Sequence, residues 1–306
     1  MARGLAAVAA LVIVAAGCGG GGQARATTST TSPLKHRAAS PPLKLAKIGS
    51  LPRAFSKAAA VALPHGWLMV LGGYAAGRSL ATILAGPPRR LRVVGRLPQP
   101  THDAAATVVG RSVFLFGGGE SVSTPSVVRI DPRTGRAAEA PALDGPLSDL
   151  GAVSIGGHAY LVGGYTSTTF AYGILQYSLQ GGTEPIGRLP QGTRYAGVTA
   201  LGRKIYVAGG LTAGGPARAI FEISLNGDVK RIGSLPVPED HAALAALGGR
   251  LYLVGGRRVL AIDPASGKVA LAARLPASLS DPTATTVGKR IVVTGGGTNG
   301  VWALTR

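Results

Sequence analysis

A row of polar side chains recurs at a fixed interval along a chain in which only 15% of the residues are charged. Each member stands six positions after a recurring leucine, and the row consists of Lys57, Asp103, Asp149, Tyr195, His241 and Asp281. A second row, one position earlier, consists of Ser56, His102, Ser148, Arg194, Asp240 and Ser280. If the fold brings equivalent positions together, carboxylates, imidazoles and cations share one opening, where they could bind a polar ligand or transfer protons.

Two interpretations of these rows stay open. In one, the side chains cap strand starts, bond to loop amides and hold channel water. In the other they form a ligand site, in which Arg194 could hold a carboxylate and Asp240 or His241 could move protons. The candidate ligand-binding residues are Lys57, His102, Asp103, Asp149, Arg194, Tyr195, Asp240, His241 and Asp281.

A metal centre is not predicted from the same residues. Asp103, Asp149, Asp281 and His241 offer donors that Ca²⁺ or a transition metal accepts, but opposed positions of a six-membered ring are too far apart for one coordination shell. The sequence contains no Gly-x-Ser-x-Gly, His-Glu-x-x-His or Cys-x-x-Cys motif. It therefore predicts no cofactor and identifies no catalytic residue.

Two independent markers show that the polar rows belong to a repeat. Gly-Gly doublets after apolar runs begin at residues 72, 117, 163, 209, 255 and 295, in steps of 45, 46, 46, 46 and 40. The leucines keep the same interval, and they are Leu51, Leu97, Leu143, Leu189, Leu235 and Leu275. A repeat of this length is typical of radial arrays and solenoids.

Each unit has the pattern of four short strands. A strand of small residues leads to a turn such as Gly110-Arg111, where glycine supplies the positive φ of a tight hairpin. The next strand is apolar throughout, as in residues 113–116, which predicts burial on both faces. A third strand ends in an Asp-Pro-x-x-Gly turn at residues 131–135, and a fourth returns to the next leucine. Six such units predict an all-β fold, a six-bladed β-propeller of four-stranded antiparallel blades over residues 44–306.

Closure of the ring follows from the strand count. The last unit ends after its third strand, at residues 301–304, whereas residues 44–48 stand where a fourth strand belongs. We expect this N-terminal strand to complete the last blade as its outer strand, which removes two exposed edges. We interpret the Gly-Gly doublets as sites of close backbone packing rather than of phosphate binding.

These features resemble Kelch repeats. The Gly-Gly after an aliphatic strand, the Asp-Pro-x-x-Gly turn and the closing Leu-Pro are Kelch features, and they cover about residues 44–306. The usual Kelch tryptophan before the Leu-Pro is missing, and its positions hold Leu45, Leu91, Ala137, Thr183, Val229 and Val269. An oxidase of the galactose oxidase type is excluded, since it needs a cysteine in the propeller and the single cysteine is Cys18. Some bacterial six-bladed Kelch proteins are sialic-acid mutarotases, so the resemblance implies a sugar-acid-modifying enzyme as an alternative function.

The first 43 residues predict export and attachment. Residues 1–17 resemble a signal peptide, because Arg3 precedes an apolar run of about a dozen residues, shorter than a membrane span. The stretch Ala15-Ala16-Gly17-Cys18 resembles a bacterial lipobox, although Ala15 stands where leucine is usual. The resemblance implies lipidation of Cys18, and ordinary secretion is the alternative. Residues 18–43 are rich in Gly, Ser, Thr and Pro and predict a flexible tether.

The net charge and the predicted extracytoplasmic location together limit the classes of ligand that the protein could bind. The formal net charge is +19, which favours anionic surroundings. Export and the lack of an aromatic-basic groove argue against nucleic acid. We therefore expect a binding module, lipid-anchored at the extracytoplasmic face of a bacterial cell membrane, that recognises a protein or an anionic glycan or other envelope polymer. The loop with Tyr165, Phe170 and Tyr172 is the expected contact surface.

Overall fold

The structure, a computed structural model, describes residues 42–180 and 182–306. The predicted signal peptide, Cys18 and nearly all of the predicted tether lie outside the described residues. The regular secondary structure of this part consists of β-strands and one 3-10 turn at Pro64–Gly66. No helix in this part is long and apolar enough to span a bilayer.

The strands form six small antiparallel sheets, which are the blades of a six-bladed β-propeller, as predicted. The first strand, β1 (Lys44–Phe55), belongs to the last blade. Blade 1 contains β2 (Ala59–Leu63), β3 (Trp67–Leu71), β4 (Tyr74–Ala75), β5 (Arg78–Gly86) and β6 (Arg92–Thr101). Blade 2 contains β7 (Ala105–Val109), β8 (Ser112–Phe116), β9 (Val127–Ile130) and β10 (Ala137–Ala140). Blade 3 contains β11 (Gly151–Ile155), β12 (His158–Val162), β13 (Gly173–Tyr177) and β14 (Thr183–Arg188).

The remaining blades follow the same plan. Blade 4 contains β15 (Gly197–Leu201), β16 (Lys204–Ala208), a small hairpin of β17 (Leu211–Thr212) and β18 (Gly215–Pro216), β19 (Ala219–Ile223) and β20 (Val229–Ser234). Blade 5 contains β21 (Ala243–Leu247), β22 (Arg250–Ile262) and β23 (Val269–Leu279). Blade 6 contains β24 (Pro282–Val287), β25 (Arg290–Gly295) and β26 (Thr298–Thr305), followed by β1. In blade 5 the long β22 provides two strands, because its first half pairs with β21 and its second half with β23.

The hydrophobic core is divided among the junctions between blades. Six separate clusters of buried apolar side chains occur, one for each pair of neighbouring blades. Strand β8 shows how one strand serves two of them. Val113 and Leu115 pack toward blade 1, whereas Phe114 and Phe116 pack toward blade 3. The unbroken apolar run at these positions is therefore explained by burial on both faces, as predicted.

The N-terminal strand closes the ring. Strand β1 pairs with β26, with Lys44 opposite Thr305 and Leu45 opposite Leu304, so blade 6 has the order β1-β26-β25-β24. The predicted closure is confirmed. Because every strand of the six blades lies within residues 42–306, this segment contains a complete core and can fold on its own.

The Gly-Gly doublets hold the connections between blades. At Gly72 a Cβ would lie 2.6 Å from the carbonyl oxygen of Thr101, in the connection to blade 2. The same oxygen accepts the N–H of Gly73 at 2.9 Å. Equivalent bonds run from Gly118, Gly164 and Gly210 to the residue four positions after the next marker leucine. The doublet is needed because only glycine lets the connection come this close.

Antiparallel pairing separates two ends of each blade. The connection to the next blade and the loop between the second and third strands lie at one end, which we call the mouth end. The hairpin between the first and second strands and the turn between the third and fourth lie at the opposite end, which we call the lower face. The described chain starts at the lower face, since Lys44 pairs with Thr305 near the C-terminal Arg306.

Candidate functional site

A closed ring of six backbone hydrogen bonds surrounds the channel at the mouth end. It joins the six residues of the first polar row, Lys57, Asp103, Asp149, Tyr195, His241 and Asp281. Each N–H donates to the carbonyl oxygen of the previous member, at N–O distances between 2.7 and 3.2 Å. The N–H of Lys57 donates to Asp281, which closes the circle. Equivalent positions of the repeat therefore meet, as the sequence predicted.

All six ring residues have left-handed backbone, with φ between 53 and 58°. Glycine occupies none of these positions, although this conformation favours glycine and is costly for a bulky side chain. The side chains surround a central space of about 100 Å³. Below it, the first strands of the blades line a channel of about 310 Å³ with small residues. The centre of the ring therefore has room for only a few waters, since each occupies about 30 Å³.

Contacts between oppositely charged or polar side chains join blades in alternate junctions. Lys57 Nζ lies 2.9 Å from Asp103 Oδ2, between blades 1 and 2. Arg194 Nη2 lies 2.6 Å from Asp149 Oδ2, between blades 3 and 4. His241 Nε2 lies 3.9 Å from Asp281 Oδ1, between blades 5 and 6. The charged rows therefore contribute to blade packing as well as to the site.

A larger pocket of about 370 Å³ opens beside the ring, and we call it the side pocket. Its polar and aromatic lining includes Lys57, His102, Asp103, Glu120, Ser123, Ser148, Asp149, Tyr165, Arg194 and Tyr195. It unites six of the nine candidate residues with Tyr165 of the predicted contact loop. The second row reaches it because His102, Ser148 and Arg194 form backbone bridges with the loop between the second and third strands of their blades.

Arg194 is the most constrained side chain of the side pocket. Nη2 donates to the Tyr195 hydroxyl at 2.7 Å as well as contacting Asp149. The guanidinium carbon lies 4.2 Å from the centroid of the Tyr165 ring and 4.4 Å from that of Tyr195, within the range of cation–π contacts. Nε is buried and has no hydrogen-bond partner among the described residues. The arginine is thus held firmly, while 20% of its side chain stays exposed at the side pocket.

Asp149 is the buried acid of the side pocket. Only 1% of its side chain is exposed, and the Ser148 hydroxyl donates to Oδ2 at 3.1 Å. Burial and the negative charge of Asp103 raise the pKa of Asp149 to about 6, although Arg194 and Ser148 act in the opposite direction. A carboxyl group with this pKa exchanges its proton near neutral pH.

His102 and Lys57 also line the side pocket. The His102 ring accepts or donates at Nδ1 with the Ser79 hydroxyl at 2.8 Å. Burial lowers the pKa of His102, and the charge of Lys57 lowers it further against the effect of Asp103. Burial alone would lower the pKa of Lys57, but the hydrogen bond and charge of Asp103 outweigh it and raise the pKa to about 12. Lys57 therefore stays charged while His102 stays neutral at pH 7.

The other three candidates, Asp240, His241 and Asp281, lie away from the side pocket. His241 stacks on Tyr195 with ring centroids 3.9 Å apart, and Asp240 lies 3.4 Å from its Nδ1. Burial raises the pKa of Asp281. Of these three, His241 and Asp281 line the central space. Among the described residues, no group of three or more His, Cys, Asp or Glu side chains is placed to hold a metal ion.

The aromatic residues of the predicted contact loop lie in two different environments. Tyr165 lines the side pocket, and Phe170 packs edge-on against it at 5.8 Å. Tyr172 is 44% exposed, and Arg188 lies over its ring. The loop therefore supplies one wall of the side pocket and one exposed aromatic surface.

Several lining residues were not among the candidates, and Glu120 and Ser123 are two of them. They come from the loop that follows the Gly-Gly of blade 2, whose sequence differs from that of the equivalent loops in the other units. Ser123 Oγ lies 3.0 Å from Ser148 Oγ. The only signal for these two residues in the sequence was that this loop varies between units. A search for positions that recur in every unit does not find them.

Comparison with known proteins supports the fold and goes no further. No protein-family model and no curated sequence matches the chain. Among solved structures, that of YjhT matches with a TM-score of 0.70 and 13% identity, covering 84% of this chain and 95% of its own. At this identity the likeness shows that the two chains share a propeller fold, and the function must be argued from the site.

Proposed function

We propose that the protein is an extracytoplasmic binding module of divergent Kelch repeats, anchored to the membrane through Cys18. In this proposal the side pocket receives the acidic, hydroxyl-rich end of an envelope polymer. The single observation that carries it is Arg194, whose guanidinium is fixed at the pocket wall by Asp149, Tyr195 and Tyr165 and whose side chain remains 20% exposed there.

The rest of the lining suits a sugar-like ligand. Ser123 and Ser148 offer hydroxyl groups, and the exposed Glu120 offers an acceptor for ligand hydroxyls. Tyr165 and Tyr195 present amphipathic rings. Lys57 and Arg194 are already paired with carboxylates, so their positive charge is partly neutralised. An anionic group alone would therefore bind weakly, and we expect a ligand that also carries neutral hydroxyl groups.

Thermal shift with residues 42–306 tests the proposal. Glucuronate and N-acetylneuraminate are the acidic probes, and glucose is the neutral match. We expect an acidic probe to raise the melting temperature, and Arg194→Met to weaken its binding by about tenfold or more, since a hydrogen bond to a charged group contributes about 1.5–3 kcal/mol. Arg188→Met, outside the side pocket, is the control.

A second variant protects this test against misfolding. Arg194→Met leaves Asp149 buried without its partner, so the double variant Asp149→Asn/Arg194→Met removes both charges together. It should fold like the wild type and still fail to bind. If neither acidic probe nor an extracted envelope polymer binds the wild type, or if Arg188→Met has the same effect as Arg194→Met, the proposal is wrong.

A protein ligand would use a different surface. Tyr172 is the exposed aromatic side chain of the contact loop. Pull-down from envelope extract with Tyr172→Ser and Arg194→Met separates the two modes. Loss of a captured protein with Tyr172→Ser alone favours a protein ligand, whereas loss with Arg194→Met favours the side pocket.

A mutarotase-like enzyme acting on a sugar acid is the second candidate function. The pKa of about 6 at Asp149 favours it, because interconversion of sugar anomers needs proton transfer to and from the ring oxygen and the anomeric hydroxyl. Exchange spectroscopy would show that the wild type accelerates anomer interconversion over the protein-free rate. Asp149→Asn should still bind the sugar acid but should not accelerate the interconversion. A sugar acid that binds without any acceleration rules out this candidate.

A further inference from the structure

The two ends of the propeller differ in charge. The turns of the lower face carry nine exposed basic side chains: Arg89, Arg90, Arg111, Arg133, Arg136, Arg203, Lys268, Lys289 and Arg306. The turns of the lower face carry three acidic residues, Asp131, Asp228 and Asp263, of which Asp263 is buried and lies 3.3 Å from Arg250. Asp131 accepts the N–H of Arg133 within its own turn. Exposed charge on the lower face is therefore strongly positive.

The lower face also carries an exposed aromatic residue. Trp67 is 43% exposed at the start of β3, beside the hairpin turn of blade 1. It lines a groove of about 580 Å³ between blades 1 and 2, together with Leu63 and Pro64. Arg111 and Arg133 form the basic side of this groove. Tryptophan flanked by arginine is the combination that favours the headgroup region of a bilayer, where the indole is half apolar and half hydrated.

The chain reaches the propeller at this same face. Leu43 is buried and donates its N–H to the carbonyl oxygen of Ala272, and Lys44 begins β1 opposite Thr305. The 41 residues that precede the described part therefore join the propeller at its lower face. The ring and the side pocket lie at the other end of the blades.

We propose that the lower face docks on an anionic lipid bilayer, with Trp67 at headgroup level and the side pocket directed away from the membrane. The occupant of this surface is the phosphate-rich headgroup layer, which matches the charge of the face and the apolar groove beside Trp67. Docking does not need lipidation of Cys18 or a ligand in the side pocket, so it can fail while the proposed function holds, and the reverse is also true.

Vesicle co-sedimentation with residues 42–306 tests the proposal. The probes are vesicles of phosphatidylcholine alone and of phosphatidylcholine with phosphatidylglycerol. We expect binding only to the anionic vesicles, weakening as salt rises because surface charges are screened. Arg111→Glu/Arg133→Glu should reduce binding by at least about tenfold, since each basic residue near an anionic surface contributes appreciably.

A matched variant separates docking from net charge. Arg53→Glu/Arg78→Glu makes the same charge change at exposed positions of the mouth end. It should reduce binding far less than the pair at the lower face. Equal losses in the two double variants, or no binding to phosphatidylglycerol vesicles at low salt, would overturn the proposal. Melting temperatures of both variants show whether each remains folded.

Fluorescence shows where the protein touches the vesicle. Only 8% of Trp302 is exposed, so a blue shift of the tryptophan fluorescence emission on vesicle binding reports on Trp67. The shift should vanish in Trp67→Phe. Inorganic phosphate is compared with chloride at equal ionic strength to distinguish headgroups from free phosphate. Specific competition by phosphate without any blue shift would assign the groove to a soluble phosphate ligand and overturn membrane docking.

Discussion

The carboxylate of Asp149 lies 2.6 Å from the guanidinium of Arg194, where only 1% of the Asp149 side chain is exposed. The pair joins blade 3 to blade 4 and forms the wall of the side pocket. Its two members respond differently to their surroundings, because burial opposes the charge of the acid while the arginine stays charged. The contact therefore links blade packing, proton binding and ligand recognition at one point.

The first prediction concerns the pH dependence of stability. The pKa of Asp149 is about 6 in the folded protein and 3.8 ordinarily, so the folded state binds this proton more tightly than the unfolded state. The contribution of Asp149 to the free energy of unfolding therefore falls as pH rises from about 4 to about 6, by about 3 kcal/mol. Relative to the wild type, Asp149→Asn should melt higher at pH 7 than at pH 4.

Asp144→Asn provides a control of opposite sign. Hydrogen bonds from the side chain and N–H of Thr183 lower the pKa of Asp144. Its contribution to stability is present above the ordinary pKa and lost as pH falls through the folded pKa. Relative to the wild type, Asp144→Asn should therefore melt lower by a similar amount at pH 7 and at pH 4, and this deficit should shrink only as the pH falls below 3.8. The same pH trend in both variants would contradict the assignment at Asp149.

The second prediction concerns the Gly-Gly doublet. Gly72→Ala places a Cβ 2.6 Å from the carbonyl oxygen of Thr101, whereas Gly202 has nearly the same φ and open space around it. Gly202→Ala should cost about 1–2 kcal/mol for left-handed backbone alone, and Gly72→Ala about 3 kcal/mol or more because the connection must move. Thermal melting compares them. Equal losses would show that the doublet is required only for its φ.

How much the sequence could predict depends on whether a feature is repeated. The six blades, the closing strand and the ring positions were predictable, because leucine and Gly-Gly markers keep Lys57 and its equivalents in phase. The off-axis side pocket was not, because Glu120 and Ser123 belong to a loop whose sequence differs between units. The left-handed φ at Lys57 and Tyr195 was also beyond the sequence, since neither side chain favours it, whereas Asp and His adopt it more often.

The third prediction concerns closure of the ring. Deletion of residues 44–49 removes the part of β1 that pairs with Val301 to Thr305 and exposes the edge of β26. It also removes Ile48, which packs against the core between blades 6 and 1. The melting temperature should fall by about 10 °C or more, and the exposed edge should promote aggregation. Residues 42–306 are the control, and equal melting of the two chains would contradict closure by β1.

The fourth prediction concerns proton binding at the side pocket. Burial lowers the pKa of His102 below 6.5, the charge of Lys57 adds to this effect, and the charge of Asp103 opposes it. In an NMR titration of residues 42–306, Lys57→Met should therefore raise the pKa of His102 and Asp103→Asn should lower it. The resonance missing from His102→Asn assigns the signal. Because the two variants have opposite expected signs, shifts in the same direction, or a wild-type pKa at or above 6.5, would show that neighbouring charges do not control this imidazole.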